Sequence, residues 1–534
     1  MLRCTASFVV AAHHKSMPHS SGFGRLACGL FTKSSEIRLF TRASTIMKIW
    51  ILNPPFLPKF SRPQRSPAVT KSGTLYFPIW LAYCAGTLEN EGFDVEFLDA
   101  PAQGLEVNDV IERLKLHQPA LIVMDTSTPS IQNDIYIAEQ IKHTLPDCFI
   151  VLVGTHVSAL PDETLTYSES VNAVAVREYE YTVRDLARQL QKTRNLTEND
   201  LKAIPGLVFR WKGSLLHAPE RPYIENLDAL PWVSKVYKKH LNIRNYFNPN
   251  ALYPMVTLIT SRGCPFRCSF CVYPQTLTGR KYRFRSIGDV LNEVEFVIRE
   301  FPEVKSIFFE DDTLTANKRR CFQFADAILK RGIRIPWTAN SRIELDLETM
   351  LKIKSAGCRQ LCVGFESGDQ QTLNAMKKGT HLDRMFQFMQ DAQKSGVLIH
   401  GCFIIGFPGE TAKSVQKTFD LAIQLKPDTV QFYPVMVYPG TEAYKAYAQK
   451  GWITAKEFSE WITPEGLHNC VVRNEALTSD ALVRLCDQAR RRFYLRPAYI
   501  AYKLAQMLKR PAEFVRTAKS ARTFFKYLLT GSKV

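Results

Sequence analysis

From residue 47 the chain alternates between short apolar runs and longer stretches with an apolar residue every three or four positions. The runs KIWILNPP, DVEFLDAP, ALIVMDTS, FIVLVGTH and NAVAVREY predict five strands between 47 and about 195. Helical periodicity fits 78–91, 106–117, 131–145 and 179–192. Strand, crossover helix, strand is the pattern of a parallel sheet with helices on both faces. Polar and small residues collect at the strand ends: Asp99, Thr126, Ser127, Gly154, Thr155, His156 and Glu178. Open α/β sheets bind their ligands at that edge.

Residues 196–250 read as a connector with a hairpin, GLVFRWKGSLLH, followed by a Pro-punctuated segment. A second alternating series begins at 251. Its strands are MVTLITSRG, SIFFEDD, IPWTANSR, QLCVGFESG, IHGCFIIGFPG and TVQFYPVMVYPG, with helices between them such as 286–300, where Ser286 is placed to cap. Six strand–helix units predict a partial (β/α)6 barrel with function at the strand C-termini. After 450 the pattern turns helical and, near the end, basic. The expected organisation is an extension over 1–46, a doubly wound, Rossmann-like domain over 47–195, a linker over 196–250, a partial barrel over 251–450 and a basic helical region over 451–534.

Composition changes this picture little. The 534 residues, 46% hydrophobic and 22% charged, suit a globular protein of several domains. No apolar run is long enough to cross a membrane. The net charge of +18 is concentrated at the ends: about +5 falls in 1–46 and +11 in 490–534, leaving about +2 across the body. A nucleic-acid partner is therefore not expected, because it would call for a basic face on the folded part. The first 46 residues are Ser/Arg-rich and acid-poor; they suit either an upstream extension before a start at Met47 or a presequence. The final segment, broken by Pro497 and Pro511, is amphipathic and suits either packing on the barrel or an anionic membrane surface. The expected location is cytoplasmic, with peripheral membrane contact through that segment.

Most of the thirteen cysteines stand singly in apolar runs and read as small buried hydrophobes, and the pair Cys358 and Cys362 reads as packing. Cys264, Cys268 and Cys271 differ. They are spaced C-x3-C-x2-C in SRGCPFRCSFCVYPQ, immediately after the first barrel strand. Three thiolates are too few for a closed structural zinc site, unless a distant residue supplies the fourth ligand. On a [4Fe–4S] cube they leave one iron open for a small molecule.

With Phe270 before the last cysteine, this motif resembles the radical S-adenosylmethionine (SAM) superfamily. The remaining strand ends resemble it too: Glu310, Asp311 and Asp312 after the second strand, Asn340, Ser341 and Arg342 after the third, and Glu366 in GFESG after the fourth. Ile404, Gly406 and Pro408 stand on the fifth and YPGT after the sixth. The resemblance implies that Phe270, Glu310, Asp311, Asp312, Ser341, Arg342, Glu366, Ile404, Gly406 and Pro408 hold SAM beside the cluster. It also implies reductive cleavage of SAM to a 5′-deoxyadenosyl radical, with electrons from a donor such as flavodoxin or ferredoxin. The protein's part is to orient the reactants and exclude water.

A doubly wound domain before such a barrel resembles the cobalamin-binding domain of class B radical SAM enzymes. Where many such domains carry D-x-H-x-x-G this chain reads DAPAQG, keeping Asp99 and Gly104 but with Pro101 in place of the histidine. Pro101 has no ring nitrogen to ligate cobalt. The implied cobalamin residues are Asp99, Gly104, Thr126, Ser127, Thr128, Gly154, Thr155, His156 and Glu178; His156 alone also reads as a polar loop residue. A domain that kept its core and lost the cofactor is the other reading. The phrases YFPIWLA, DTSTPSIQND, CVYPQTLTGRKYRFRS, ESGDQQTLNAMKKG and IHGCFIIGFPGET resemble the hopanoid-biosynthesis radical SAM family of the cyclitol ether pathway. That resemblance implies a small-molecule or lipid-linked substrate and formation of a cyclitol ring. The alternatives are a cobalamin-dependent C-methyltransferase, an RNA methylthiolase and a non-enzymatic iron–sulfur carrier.

Overall fold

The strand Lys48–Asn53 (β1) sends Ile49 and Ile51 into one hydrophobic core and Trp50 and Leu52 into another. The same division recurs in Leu121–Thr126 (β3) and Phe149–Gly154 (β4), so the sheet is buried on both faces, as continuous apolar runs demand. In this computed structural model, which describes residues 47–509, these strands are joined by Asp94–Asp99 (β2) and Ala173–Ala175 (β5). The strand order is β2-β1-β3-β4-β5, all parallel. The order reverses between β1 and β3, which makes their carboxyl ends the switch point of a doubly wound sheet. The helices Ile79–Asn90, Val107–His117, Ile131–Thr144 and Glu180–Lys192 form close to the predicted spans.

The hairpin in the connector forms as Leu207–Trp211 (β6) and Ser214–His217 (β7). It pairs antiparallel with β5 and extends the first sheet to seven strands. The extension 1–46 and the segment 510–534 lie outside the described residues.

The second sheet begins with Met255–Leu258 (β8). A short ribbon, Ser261–Arg262 (β9) with Arg283–Phe284 (β10), brackets the cysteine loop. Next come Ser306–Phe309 (β11), Trp337–Ser341 (β12), Cys358–Glu366 (β13), Leu398–Ile405 (β14) and Thr429–Pro434 (β15). β8 pairs with β11, and each later strand pairs in parallel with its successor. The result is the six-stranded open arc of the expected partial barrel.

The C-terminal region departs from a purely helical reading. Residues 451–478 are largely irregular, with one short 3-10 turn at Phe458–Trp461, and the regular helices are Ser479–Tyr494 and Pro497–Lys509. The irregular part touches the first domain: His468 Nε2 lies 2.8 Å from Ser66 Oγ, and Phe458 packs edge-on against His156. The helix Ser479–Tyr494 closes over β15, where Tyr494 Oη accepts from Val430 N at 2.8 Å and donates to Val430 O at 2.6 Å.

Candidate active site

The loop between β9 and β10 is fastened at both feet by one carboxylate. Asp312 Oδ2 accepts from Gly263 N at 3.1 Å and from Thr278 Oγ1 at 2.8 Å. Gly263 has φ +81°, and a Cβ there would stand 2.2 Å from the Lys281 carbonyl oxygen, so the turn requires glycine. Within the loop, Gln275 Nε2 donates to the carbonyls of Ser269 and Cys271. Cys264, Cys268 and Cys271 lie within electrostatic reach of one another. Burial, with Asp312 adding to it, pushes the Cys264 thiol up to about 11, and the same causes raise Cys271 further. Thiols so disfavoured as free thiolates gain most from metal bonds, which supply the compensating positive charge.

Among the described residues no three His, Cys, Asp or Glu side chains converge on a single metal ion, the arrangement that a mononuclear zinc site needs. A cube gives each thiolate its own iron and requires no such convergence.

Ionic side chains surround the triad. Arg342 Nη1 donates to Cys268 Sγ at 3.8 Å. Arg342 also binds the Lys378 carbonyl, Thr380 Oγ1 and Glu344. Arg65, from the loop after β1, pairs with Glu310 Oε1 at 2.5 Å and donates to the Asp311 carbonyl at 2.9 Å. Its guanidinium stays charged: burial opposes the charge, but Glu310 and Asp312 outweigh it. Burial likewise raises the Glu310 carboxyl, against the pull of Arg65.

On the fourth strand, Glu366 Oε1 accepts from Lys378 Nζ at 2.7 Å. Glu366 has φ +66°, a conformation rarely taken by a residue other than glycine, at a register shift between β13 and β14. A Cβ on Gly364 would meet Glu366 Oε1 at 2.1 Å, so only glycine lets that carboxylate fold back. Four buried carboxylate oxygens here, Oε2 of Glu310, Oδ2 of Asp311, Oδ1 of Asp312 and Oε2 of Glu366, accept no hydrogen bond, although Asp312 Oδ1 faces Arg65 Nη2 at 3.6 Å. Buried acceptors left open in this way suit a ligand that brings donors, as an α-amino group and ribose hydroxyls do.

The other expected SAM residues divide. Phe270 stands edge-on to Phe407 at 5.6 Å; Ile404 and Gly406 are buried nearby, and Pro408 is half-buried. Ser341 is tied to Thr315 and to the Arg342 carbonyl. Asp311 also has a bracing role. Its Oδ1 is taken by Thr260 N, Thr260 Oγ1 and Ser261 Oγ, so that oxygen braces the β8–β9 corner, while Oδ2 is buried without a partner.

Five of the expected cobalamin residues have local structural roles. Asp99 caps its own helix and binds Asn53 and Tyr246, and Gly104 is an exposed helix end. Glu178 is held by Arg283, Arg262 and the Ile224 N–H. His156 is 1% exposed, hydrogen-bonds through Nδ1 to Thr128 and faces Phe458; burial lowers its imidazole to about 3, a neutral core histidine. Ser127 bonds locally to Ser130.

Thr126, Gly154 and Thr155 line a small space at the ends of β3 and β4. The switch-point crevice beside it is filled by Arg62, fully buried, which binds Asn53, Pro54 and Asp134. Arg62, Pro63, Trp80, Asp125, Tyr179, Tyr273 and Leu277 complete the lining. Burial lifts the Asp125 carboxyl to about 7. Trp80 Nε1 and Tyr179 Oη are buried without partners. Gly154 has φ +116°, and a Cβ there would meet the Thr126 carbonyl oxygen at 2.5 Å.

Thr126, Gly154 and Thr155 were expected at this edge, whereas the other lining residues, with Arg65 and Lys378, were outside the sequence reading. Cys362 and Cys402 were read as packing or core residues. Both are half-buried, and they lie electrostatically beside Glu310 and Glu366 respectively. Alternation along β13 and β14 was the available signal, since Cys362 and Glu366 share one strand parity and Cys402 and Ile404 another.

Residues 258–422 match the family model of the radical SAM superfamily, and residues 65–187 that of the B12 binding domain. An uncharacterized methyltransferase of Pyrococcus horikoshii is 30% identical over 85% of this chain and 93% of its own length. The chain belongs to the cobalamin-binding radical SAM family. The anaerobic magnesium-protoporphyrin IX monomethyl ester cyclase of Rubrivivax gelatinosus is 25% identical, over 80% of this chain and 75% of the relative. The solved radical SAM methyltransferase TsrM of Kitasatospora setae, with cobalamin and a [4Fe–4S] cluster bound, superposes with a TM-score of 0.65 at 16% identity. It covers 85% of this chain and 90% of its own, so the two share a fold.

Membership makes the chain a radical SAM enzyme whose cofactors are a [4Fe–4S] cluster, SAM and cobalamin. The residues present fit that set. Three loop thiols within electrostatic reach of one another and open carboxylate acceptors suit the cluster and SAM, and the space at the ends of β3 and β4 is walled by Gly154. No helix among the described residues is long and apolar enough to cross a membrane.

Proposed function

We propose that the enzyme is a cobalamin-dependent radical SAM methyltransferase that builds a methyl group onto a carbon atom of a small-molecule or lipid-linked acceptor. One observation carries this reading. Tyr273 and Leu277, which line the space at the ends of β3 and β4, stand two and six residues beyond the cysteine Cys271. The cluster loop and the cobalamin space therefore share a wall, and a substrate at that wall meets both cofactors.

When bound, the cofactors supply a hydrogen-abstracting radical from SAM and a transferable methyl group from cobalamin. The chain's own residues bind and orient. Cys264, Cys268 and Cys271 would hold the cluster, and Arg342 donates to Cys268. Glu310, Asp312 and Glu366 receive the donors of SAM, while Phe270, Ile404, Gly406 and Pro408 flank its base. Thr126, Gly154 and Thr155, with Asp125, Trp80 and Tyr179, would face cobalamin. Among the described residues no histidine lines the space. A flavodoxin- or ferredoxin-type protein supplies electrons. Arg62, Tyr273 and the segment 451–478 close the joint against water, which keeps the radical from side reactions.

Formation of a cyclitol ring on a hopanoid side chain is the second reading, favoured by the sequence phrases that span the domain joint. Product mass separates the two. The reconstituted enzyme, given SAM with a deuterated methyl group and a hopanoid-containing lipid extract, is expected to yield a product heavier by the labelled methyl. A product isomeric with its precursor would replace methyl transfer by ring rearrangement.

A further inference from the structure

We propose that the outward face of the helix Pro497–Lys509, with the basic sequence after it, seats the enzyme on an anionic lipid bilayer. The inward face of this helix is already engaged. Tyr499 Oη donates to the Asp428 carbonyl at 2.9 Å, Gln506 Nε2 donates to Asp428 Oδ1 at 3.3 Å, and the Tyr499 ring packs on Phe493 and Tyr494. These contacts fix which way the helix is turned. At about 100° per residue, Ile500, Leu504 and Leu508 then lie roughly 100–180° round from Tyr499. They are 46%, 53% and 87% exposed, a row of three large apolar side chains spaced four apart and facing out. Ala501 and Ala505, on the same side, are exposed too.

What the row meets is indicated by charge. From 497 to 534 the sequence has eight Lys and Arg residues and one acid, Glu513. Beyond the described residues the apolar positions Phe514, Val515, Ala518, Ala521, Phe525 and Leu528 recur at three and four, with Arg516, Lys519, Arg522 and Lys526 between them. An exposed apolar row followed by a cation-rich sequence matches a bilayer of acyl chains under anionic headgroups. A second copy would bring the same cations against them and be repelled.

The test uses the full chain and sedimentation with vesicles of phosphatidylcholine, alone or with a quarter phosphatidylglycerol. The wild type is expected to bind the anionic vesicles at least about tenfold more strongly, with the difference shrinking at high salt. I500S/L504S/L508S and, separately, R516Q/K519Q/R522Q/K526Q are each expected to lose most of that binding while circular dichroism is unchanged. Equal binding to both vesicles, or unchanged binding by the triple serine variant, would overturn the proposal. So would a wild-type dimer that the serine variant dissolves, because the row would then be a contact between copies.

Discussion

Arg342 donates to Cys268 Sγ at 3.8 Å while its guanidinium lies 3.7 Å from the centre of the Phe266 ring. A cation fixed this close to one sulfur stabilises the more negative, reduced state of a cluster held there. R342Q should therefore lower the cluster's reduction potential by several tens of millivolts, with R342K in between because it keeps the charge but not the fork. Potentiometric titration followed by electron paramagnetic resonance measures this; an unchanged potential in R342Q would assign Arg342 to the fold alone.

The cysteines separate by position rather than by number. Replacing Cys264, Cys268 or Cys271 with Ala should abolish the reconstituted cluster, read as iron and sulfide per chain. C362A and C402A should retain the full content, because those thiols stand on β13 and β14 and not in the loop. A loss of iron in C362A would give the open corner a protein ligand and contradict the site described here.

Glu366 is held in a strained backbone with one carboxylate oxygen unpartnered. E366Q keeps the shape and removes the charge that faces Lys378. SAM affinity of the cluster-loaded protein, followed by calorimetry, should fall about tenfold, the loss of one charge-assisted hydrogen bond. Iron content should stay the same.

Glu410 anchors the turn after β14 by accepting from Gly406 N at 2.6 Å and Phe407 N at 2.8 Å. Burial nevertheless pushes its carboxyl up to about 7, against those two donors. The folded chain thus keeps a proton that the unfolded chain has lost between about pH 4.5 and 7, and stability falls as pH rises through that window. E410Q carries no such proton. The stability of E410Q relative to wild type, by urea unfolding, should rise by roughly 2–3 kcal/mol from pH 4 to pH 8. A difference that is flat with pH would contradict this assignment.

Much of this architecture was legible in the sequence because each strand is a short apolar run ending in polar residues, and each crossover helix has its own period. The cysteine loop was legible for a simpler reason: three ligands within eight residues need no long-range folding to meet. The remainder depends on contacts between distant segments. Arg65 lies 245 positions from its partner Glu310, and nothing in RPQRSP announces that pairing. Asp311 and Asp312 are adjacent and chemically alike, yet one braces a corner and the other fastens the cysteine loop. Glu178 and His156 stand at strand ends as ligand residues do, but a guanidinium pair and a phenyl ring occupy them. The hairpin was expected, but its place on the edge of the first sheet was not, because antiparallel addition leaves no mark on the run itself.

The claim on which the account turns is that SAM serves this enzyme as a methyl source as well as a radical source. The direct measurement is to incubate the cluster- and cobalamin-loaded protein anaerobically with reductant and SAM carrying a deuterated methyl group. The corrin fraction and the nucleoside products are then weighed by mass spectrometry. The account predicts labelled methyl in the corrin fraction together with S-adenosylhomocysteine. An unlabelled corrin fraction with 5′-deoxyadenosine as the sole SAM product would contradict it.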